Sequence, residues 1–214
     1  ERFLNFGGKN YLEIIVNNNL SAKSSIPLKP QSWQPKNYGG IFREVYILES
    51  PRLLIEKFSW QVQEAKRGKE KLIINSLINN RELVRIDHDS LAAAEKLTLT
   101  GILYDEEGAQ ISKTTSAFEL RKLESAEVEL DLLVDAVKRW SPQDPYMYEL
   151  ELVLSHVDKV IHRKRQALGI RFIETAGSFL LLNDDTLQVR GISYSADHPD
   201  YGITLSRDIM EKDV

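Results

Sequence analysis

Asp197-His198-Pro199-Asp200 is the segment of this chain best equipped for chemistry. A carboxylate accepts hydrogen bonds and an imidazole accepts or donates them, so the pair suits a hydroxylated substrate. The segment lies beyond the alternating Leu187-Gln188-Val189-Arg190 and ahead of a candidate helix from Leu205. A strand, a polar loop and a helix form the step on which barrel enzymes place their reactive groups. A catalytic barrel takes about 250 residues, and about a dozen follow this loop. The chain is therefore expected to carry the threshold of such a site and not the site itself. A metal centre would need ligands beyond these residues that the chain does not supply. A substrate-binding loop and a structural loop fit the residues equally well.

Other clusters have plainer explanations. Asn37-Tyr38-Gly39-Gly40-Ile41-Phe42-Arg43-Glu44-Val45 joins a Gly pair to a strand-like run. It reads as a ligand loop or, more simply, as a tight turn with glycine at positive φ and Arg43 in a buried bidentate contact. Arg139-Trp140-Ser141-Pro142-Gln143-Asp144-Pro145-Tyr146-Met147-Tyr148 offers aromatic faces to a sugar, but reads better as a rigid connection pinned by Trp140 in the core. The basic runs His162-Arg163-Lys164-Arg165 and Lys66-Arg67-Gly68-Lys69 read as solvated edges and loops rather than phosphate sites. Asp184-Asp185 and Asp105-Glu106-Glu107 lack the spaced oxygen ligands of a calcium loop and read as turns. No metal ligand and no cofactor is assigned.

The elements that must position these groups are strands. Glu127-Val128-Glu129-Leu130-Asp131-Leu132 and Tyr148-Glu149-Leu150-Glu151-Leu152-Val153-Leu154 alternate apolar and acidic residues, the mark of half-buried antiparallel strands. Lys96–Tyr104 is another, entering the turn Asp105-Glu106-Glu107-Gly108. Phe179-Leu180-Leu181-Leu182 and Leu187–Arg190 read as a hairpin across Asn183-Asp184-Asp185. Helical signals are confined to Leu91–Glu95 and to Leu205–Val214, the latter with Ser206 as N-cap and Asp208 in the first turn. Short strands about ten residues apart predict an all-β chain built on an immunoglobulin-like sandwich. Residues 1–50 hold strand signals at Tyr11–Val16 and Ile41–Leu48, residues 51–167 supply the sandwich, and residues 168–214 change to a hairpin and a βα unit.

Bulk properties exclude several classes. The 28 basic and 32 acidic residues give a net charge of −4, which argues against a general nucleic-acid binder. No cysteine is present, so disulfides and thiolate metal sites are absent. No apolar run approaches the roughly 18 residues of a membrane span. The compartment stays open between exported and cytoplasmic locations.

Taken in order, the motifs resemble glycoside hydrolase family 2, which includes β-galactosidases, β-glucuronidases and β-mannosidases. Asn37-Tyr38-Gly39-Gly40-Ile41-Phe42-Arg43-Glu44-Val45 resembles the N-x-G-G-I-x-R-x-V segment that ends the family's sugar-binding domain. Val16-Asn17-Asn18 with Ile26-Pro27 resembles the β-glucuronidase form of the preceding loop. Trp140-Ser141-Pro142 with Pro145 and Tyr148 is similar to W-S-P-x-x-P-x-L-Y, near the end of the family's immunoglobulin-like domain. Leu168–Glu174 resembles G-F-R-x-I-E, and Phe179–Asn183 with Val189-Arg190-Gly191 resembles the hairpin entering the barrel. The chain departs from the pattern in three places, of which Gly177-Ser178 with Asn183-Asp184-Asp185, varying the usual N-G turn, is one that turn chemistry tolerates. Tyr194-Ser195-Ala196 stand where Arg, His and Glu are usual, and Gln34 stands where β-glucuronidases carry an acid.

The resemblance implies the end of a jelly-roll sugar-binding domain, a complete immunoglobulin-like domain and the first strand of a TIM barrel. It implies a retaining glycosidase whose two catalytic glutamates match no acid of this chain, so no catalytic residue is expected here. Asp197, His198 and Ser195 are the expected substrate contacts, with Asn37, Gly40, Arg43, Trp140 and Pro145 in structural roles. The expected partner is an oligosaccharide or glycoside, with no nucleic acid and no membrane, and the sandwich offers a surface for a homo-oligomer. A carbohydrate-binding or adhesin-like sandwich without activity, and a family member that has lost activity, are the alternatives.

Overall fold

The computed structural model describes residues 4–5, 7–19, 38–66, 69–81, 94–194 and 196–213. Asn37, Ser195, Gln34, Ile26-Pro27, Arg67-Gly68 and most of Leu91–Glu95, whose helical run is too short to stand alone, lie outside the described residues. The chain divides into two compact units, one of Glu1–Arg2 with Glu49–Val189 and the other of Phe3–Leu48 with Arg190–Val214.

The first unit holds a seven-stranded sandwich: β1 (Leu53–Lys66), β2 (Lys69–Asn80), β3 (Glu95–Tyr104), β4 (Gln110–Leu120), β5 (Ser125–Asp135), β6 (Tyr148–His156) and β7 (Lys159–Leu168). One sheet has the order β1-β2-β5 and the other β4-β3-β6-β7. Every pairing within them is antiparallel. The alternation read from the sequence sets the inward faces. Leu72 and Ile74 pair with Leu132 and Leu130, while Leu99 and Leu103 pair with Leu154 and Leu150. All eight are buried in one core cluster. At Gly101 a Cβ would come within 3.1 Å of Leu130 Cδ1 on the opposing sheet, so glycine here lets the two sheets close together.

Charges on the outer face are handled locally. Glu151 is 2% exposed and accepts hydrogen bonds from Arg163 Nη1 at 2.9 Å, Arg165 Nε at 3.1 Å and the Tyr104 hydroxyl at 3.1 Å. Burial would raise its pKa, but the bonds from Arg163, Arg165 and Tyr104 outweigh burial and hold the carboxyl below its ordinary value. The basic run on β7 is thus not simply a solvated edge. Its other two members close the sandwich against β1, whose ladder is irregular between Ile55 and Lys57. The Ile55 amide donates to His162 Nδ1 at 3.1 Å, and Lys164 Nζ donates to the Glu56 carbonyl at 2.6 Å. Side chains supply the partners that the interrupted ladder does not.

A smaller sheet of order β10-β9-β8 follows, from β8 (Ile173–Ala176), β9 (Phe179–Leu182) and β10 (Asp185–Thr186). Gly177 at φ +59° opens the first turn. Asn183 and Asp184, at +52° and +74°, form the second, as a two-residue hairpin of type I′ requires. The expected hairpin arm at Leu187–Arg190 is shorter than its alternation suggests: pairing ends after Thr186, with one further bond of 2.8 Å from the Leu187 amide to the Leu180 carbonyl.

Trp140 and Asn183 tie this sheet to the sandwich. The Trp140 amide donates to the Ile170 carbonyl at 2.8 Å, and Asn183 Nδ2 donates to the Trp140 carbonyl at 3.0 Å. Asn183 also exchanges bonds with Phe172, accepting at Oδ1 (3.0 Å) and donating through its amide (2.9 Å). Trp140 is half-buried and lies outside the core cluster, so the expectation of a core anchor is corrected. Its indole lies against Gly169, where a Cβ would sit 2.8 Å from Cδ1 and Cγ. The Arg171 guanidinium lies 5.5 Å from the ring. Pro145 is exposed in the adjoining turn, in which the Ser141 and Tyr146 amides donate to the Asp144 carbonyl at 3.0 and 2.8 Å.

The second unit holds helix α1 (Arg207–Asp213), with Asp208 in its first turn. Ser206 occupies the N-cap position and its carbonyl accepts from the Ile209 and Met210 amides, both at 3.2 Å. The strands expected at Tyr11–Val16 and Ile41–Leu48 are not formed, nor is one at Leu187–Arg190. A strand needs a hydrogen-bonded neighbour, and none pairs with these segments among the described residues. Their apolar side chains stay exposed, Tyr11 at 93% and Ile47 at 88%.

Two outcomes are expected. Gly169→Ala must push the indole of Trp140 aside, which should lower the unfolding free energy by about 1–3 kcal/mol. Urea denaturation checks this, and an unchanged midpoint would show that the indole gives way freely. For His162, burial first and Lys164 second lower the imidazole pKa. A lowered folded value means that its stabilisation is complete above the unfolded value of about 6.5 and is lost as pH falls from there through the folded one. His162→Gln keeps an acceptor but cannot titrate. Melting curves between pH 7.5 and pH 5 should therefore show a smaller acid-induced loss in the variant than in the parent. Equal losses would count against this role for His162.

Candidate functional site

The second unit brings Asp197 and His198 into a loop that closes on itself. The His198 amide donates to the Gly202 carbonyl at 2.9 Å, and the Gly202 amide returns the bond at 2.8 Å. Gly202 sits at φ +56°, a conformation that glycine adopts without cost from a side chain. The Asp200 amide donates to His198 Nδ1 at 3.1 Å. Nδ1 is therefore the acceptor, and a neutral ring carries its proton on Nε2. The Tyr201 ring lies beside the imidazole, with centroids 5.0 Å apart.

The segment that begins at Tyr38 holds this loop from a great distance in sequence. The Tyr38 hydroxyl donates to Asp197 Oδ1 at 2.5 Å. A Cβ at Gly202 would lie 3.0 Å from Tyr38 Cε1, so the tyrosine ring lies closely against the loop backbone. Arg43 Nη1 donates to the Phe42 and Ile203 carbonyls, both at 2.9 Å. Arg43 is exposed, so the expected buried bidentate contact is replaced by a guanidinium binding main-chain carbonyls. Gly40 does take positive φ, at +94°. At Gly39 a Cβ would lie 3.0 Å from the side chain of Asn18.

The result is an acceptor and a donor on consecutive residues: the Asp197 carboxylate, exposed, and the His198 imidazole, half-buried. Such a pair can receive and give hydrogen bonds to the hydroxyls of a sugar. Among the described residues, no group of three or more His, Cys, Asp or Glu is placed to hold a metal ion.

Of the other residues singled out in the sequence, Gly40 and Arg43 belong to this unit, whereas Trp140 and Pro145 belong to the sandwich unit. Sequence reasoning missed Tyr38 as a partner of Asp197. Its one visible signal was its place beside the Gly pair. It also missed Asn183 as a bridge, because turn chemistry already accounted for an asparagine there.

Residues 83–171 match the family described as Glycosyl hydrolases family 2. A β-galactosidase of Vibrio cholerae serotype O1 is 26% identical over 185 residues, covering 82% of this chain and 17% of that protein. A β-glucuronidase of Bacteroides fragilis is 24% identical over 218 residues, covering 98% of this chain and 29% of that protein. The chain thus spans less than a third of either relative's length. Among solved structures, a β-glucuronidase of Bacteroides uniformis superposes with a TM-score of 0.69 at 18% identity, covering 83% of this chain and 22% of that one. A family 2 glycosyl hydrolase of Bacteroides cellulosilyticus gives 0.64 at 22% identity, covering 76% and 20%. At such identities the structures speak for the fold alone, and it is the fold of the sandwich described above. Residues 83–171 thus match glycosyl hydrolase family 2, and the chain is similar along most of its length to proteins named as β-galactosidase and β-glucuronidase.

Proposed function

We propose that this chain is part of a retaining glycosidase that hydrolyses O-glycosidic bonds of β-galactosides or β-glucuronides. Within it, the loop of Asp197, His198 and Ser195 contacts the sugar. The observation that carries this reading is the bond between Tyr38 and Asp197. It joins two segments that resemble separate family motifs and lie 159 residues apart, and it leaves an acceptor and a donor adjacent on a closed loop. The sandwich serves as a spacer between the sugar-binding and catalytic parts. Its stiffness, from two packed sheets and the Trp140–Asn183 tie, suits that role.

Retention requires two carboxyl groups about 5–5.5 Å apart, one acting as acid and base and the other as nucleophile. We assign neither to a residue of this chain. Asp197 and His198 bind and orient hydroxyls, which contributes to catalysis by fixing the glycoside against the reacting groups. Tyr194, at the position where the family pattern it resembles has Arg, donates to Asp213 Oδ2 at 2.6 Å and so serves the loop's own structure.

Assays of the full-length protein with 4-nitrophenyl β-D-galactoside and β-D-glucuronide test this reading. Turnover of at least one is expected from the full-length protein, and none from residues 1–214 alone. Replacing both Asp197 and His198 by Ala should lower kcat/KM by about ten- to a hundredfold, the loss expected for hydrogen bonds that involve a charged group. Sugar binding without turnover by the full-length protein would instead favour a carbohydrate-binding module. Unchanged kinetics in the double variant would return both residues to a structural role.

A further inference from the structure

We infer that Arg43 is a specificity residue: the Nε–Nη2 edge of its guanidinium takes the carboxylate of a β-glucuronide, so that the full-length protein prefers uronic acid sugars to neutral ones. This inference rests on the glycosidase reading above and chooses between its two substrate classes.

A guanidinium carries five N–H donors in a planar fork. In Arg43 the two on Nη1 are used, one on the Phe42 carbonyl and one on the Ile203 carbonyl, both at 2.9 Å. These bonds fix the plane of the group, with its carbon 5.3 Å from the centroid of the Phe42 ring. Among the described residues, no hydrogen bond or ion pair uses the other three donors, on Nε and Nη2. Nε and Nη2 lie along one edge of the plane, at the spacing that meets both oxygens of a carboxylate through parallel bonds. The residue is exposed, so a ligand can reach that edge.

Its place on the loop matters as much as its open edge. Ile203 follows Gly202, whose main-chain amide and carbonyl both bond to His198. Arg43 therefore reaches the same closed loop that carries the imidazole, within one compact unit. The manner of its anchoring sets it apart from other arginines of the chain. Arg139 pairs with Glu70, and Arg163 and Arg165 pair with Glu151. Both of those carboxylates are buried, and the arginines neutralise them. Arg43 is held by neutral carbonyls instead and keeps its full charge for an anion. The two proposed substrate classes differ in just this respect. A β-glucuronide bears a carboxylate at C6, and a β-galactoside bears a neutral hydroxymethyl group.

The test uses the full-length protein with 4-nitrophenyl β-D-glucuronide and β-D-galactoside. The parent is expected to favour the glucuronide by about tenfold or more in kcat/KM. Arg43→Lys keeps the positive charge but not the fork. In this variant the ratio of glucuronide to galactoside kcat/KM should fall by about ten- to a hundredfold, the loss expected for hydrogen bonds between charged groups. Both activities are read on one preparation, so any loss of folded protein cancels in the ratio. Inhibition of the parent needs no variant. D-glucuronate should bind about tenfold or more tightly than D-glucose, which has the same ring without the carboxylate. A parent that prefers the galactoside, or that binds glucuronate and glucose alike, would overturn the inference and leave the glycosidase reading intact. So would an unchanged ratio in Arg43→Lys, which would confine Arg43 to supporting the loop. A parent that turns over neither glycoside would overturn the glycosidase reading, and the role of Arg43 with it.

Discussion

The contact between Trp140 and Gly169 leaves no room for a Cβ, and the sandwich unit is organised around it. Trp140 lies on the connection between β5 and β6, and Gly169 lies where β7 ends. Their contact, with the bond from the Trp140 amide to the Ile170 carbonyl at 2.8 Å, fixes how the chain leaves the sandwich. Asn183 then reaches back from the tip of the next hairpin to the Trp140 carbonyl and to both polar atoms of the Phe172 backbone. Arg139 completes the arrangement: it donates to buried Glu70 and stacks 4.5 Å from the Phe172 ring. A small sheet of ten residues in three strands has little core of its own. Its place is set by these few polar bonds and one aromatic face.

The two sheets of the sandwich solve a different problem. Their inner faces are mostly apolar, with Ser76 and Asn80 buried beside the aliphatic residues of β2. The outer face of β6 carries Glu151, buried beneath arginines. A buried carboxylate is tolerated when each of its oxygens is bonded, and three donors meet that condition here. At the edge, His162 and Lys164 supply side-chain partners where the β1 ladder is interrupted. These polar contacts add specificity of register to a core that is almost entirely Leu, Ile and Val.

How much of this was legible depended on the range of the interaction. The strands at Lys96–Tyr104, Glu127–Leu132 and Tyr148–Leu154 were readable because one face is buried and period 2 survives in the sequence. Tyr11–Val16 and Ile41–Leu48 are rich in strand-forming residues and Leu187–Arg190 alternates, yet none forms a ladder among the described residues, because such signals report the capacity to form a strand and not the presence of a neighbour. Asp197 and His198 were visible as reactive residue types. Their geometry was not, since it is set by Tyr38 and Arg43 from far upstream. Gly169 looked like one more motif glycine until the indole beside it showed what a side chain there would strike. Trp140 was read as a core anchor because tryptophan is usually buried, but here the ring is a half-buried tie between elements.

The account comes together in one loop, built by two distant segments and presenting a carboxylate beside an imidazole. A crystal structure of the full-length protein with a bound glycoside tests that claim most directly. The account predicts a sugar hydroxyl within about 3 Å of an Asp197 oxygen or of His198 Nε2, the distance of an ordinary hydrogen bond, with the Tyr38–Asp197 bond intact. A glycoside seated elsewhere, with Asp197 and His198 both out of hydrogen-bond reach, would contradict it.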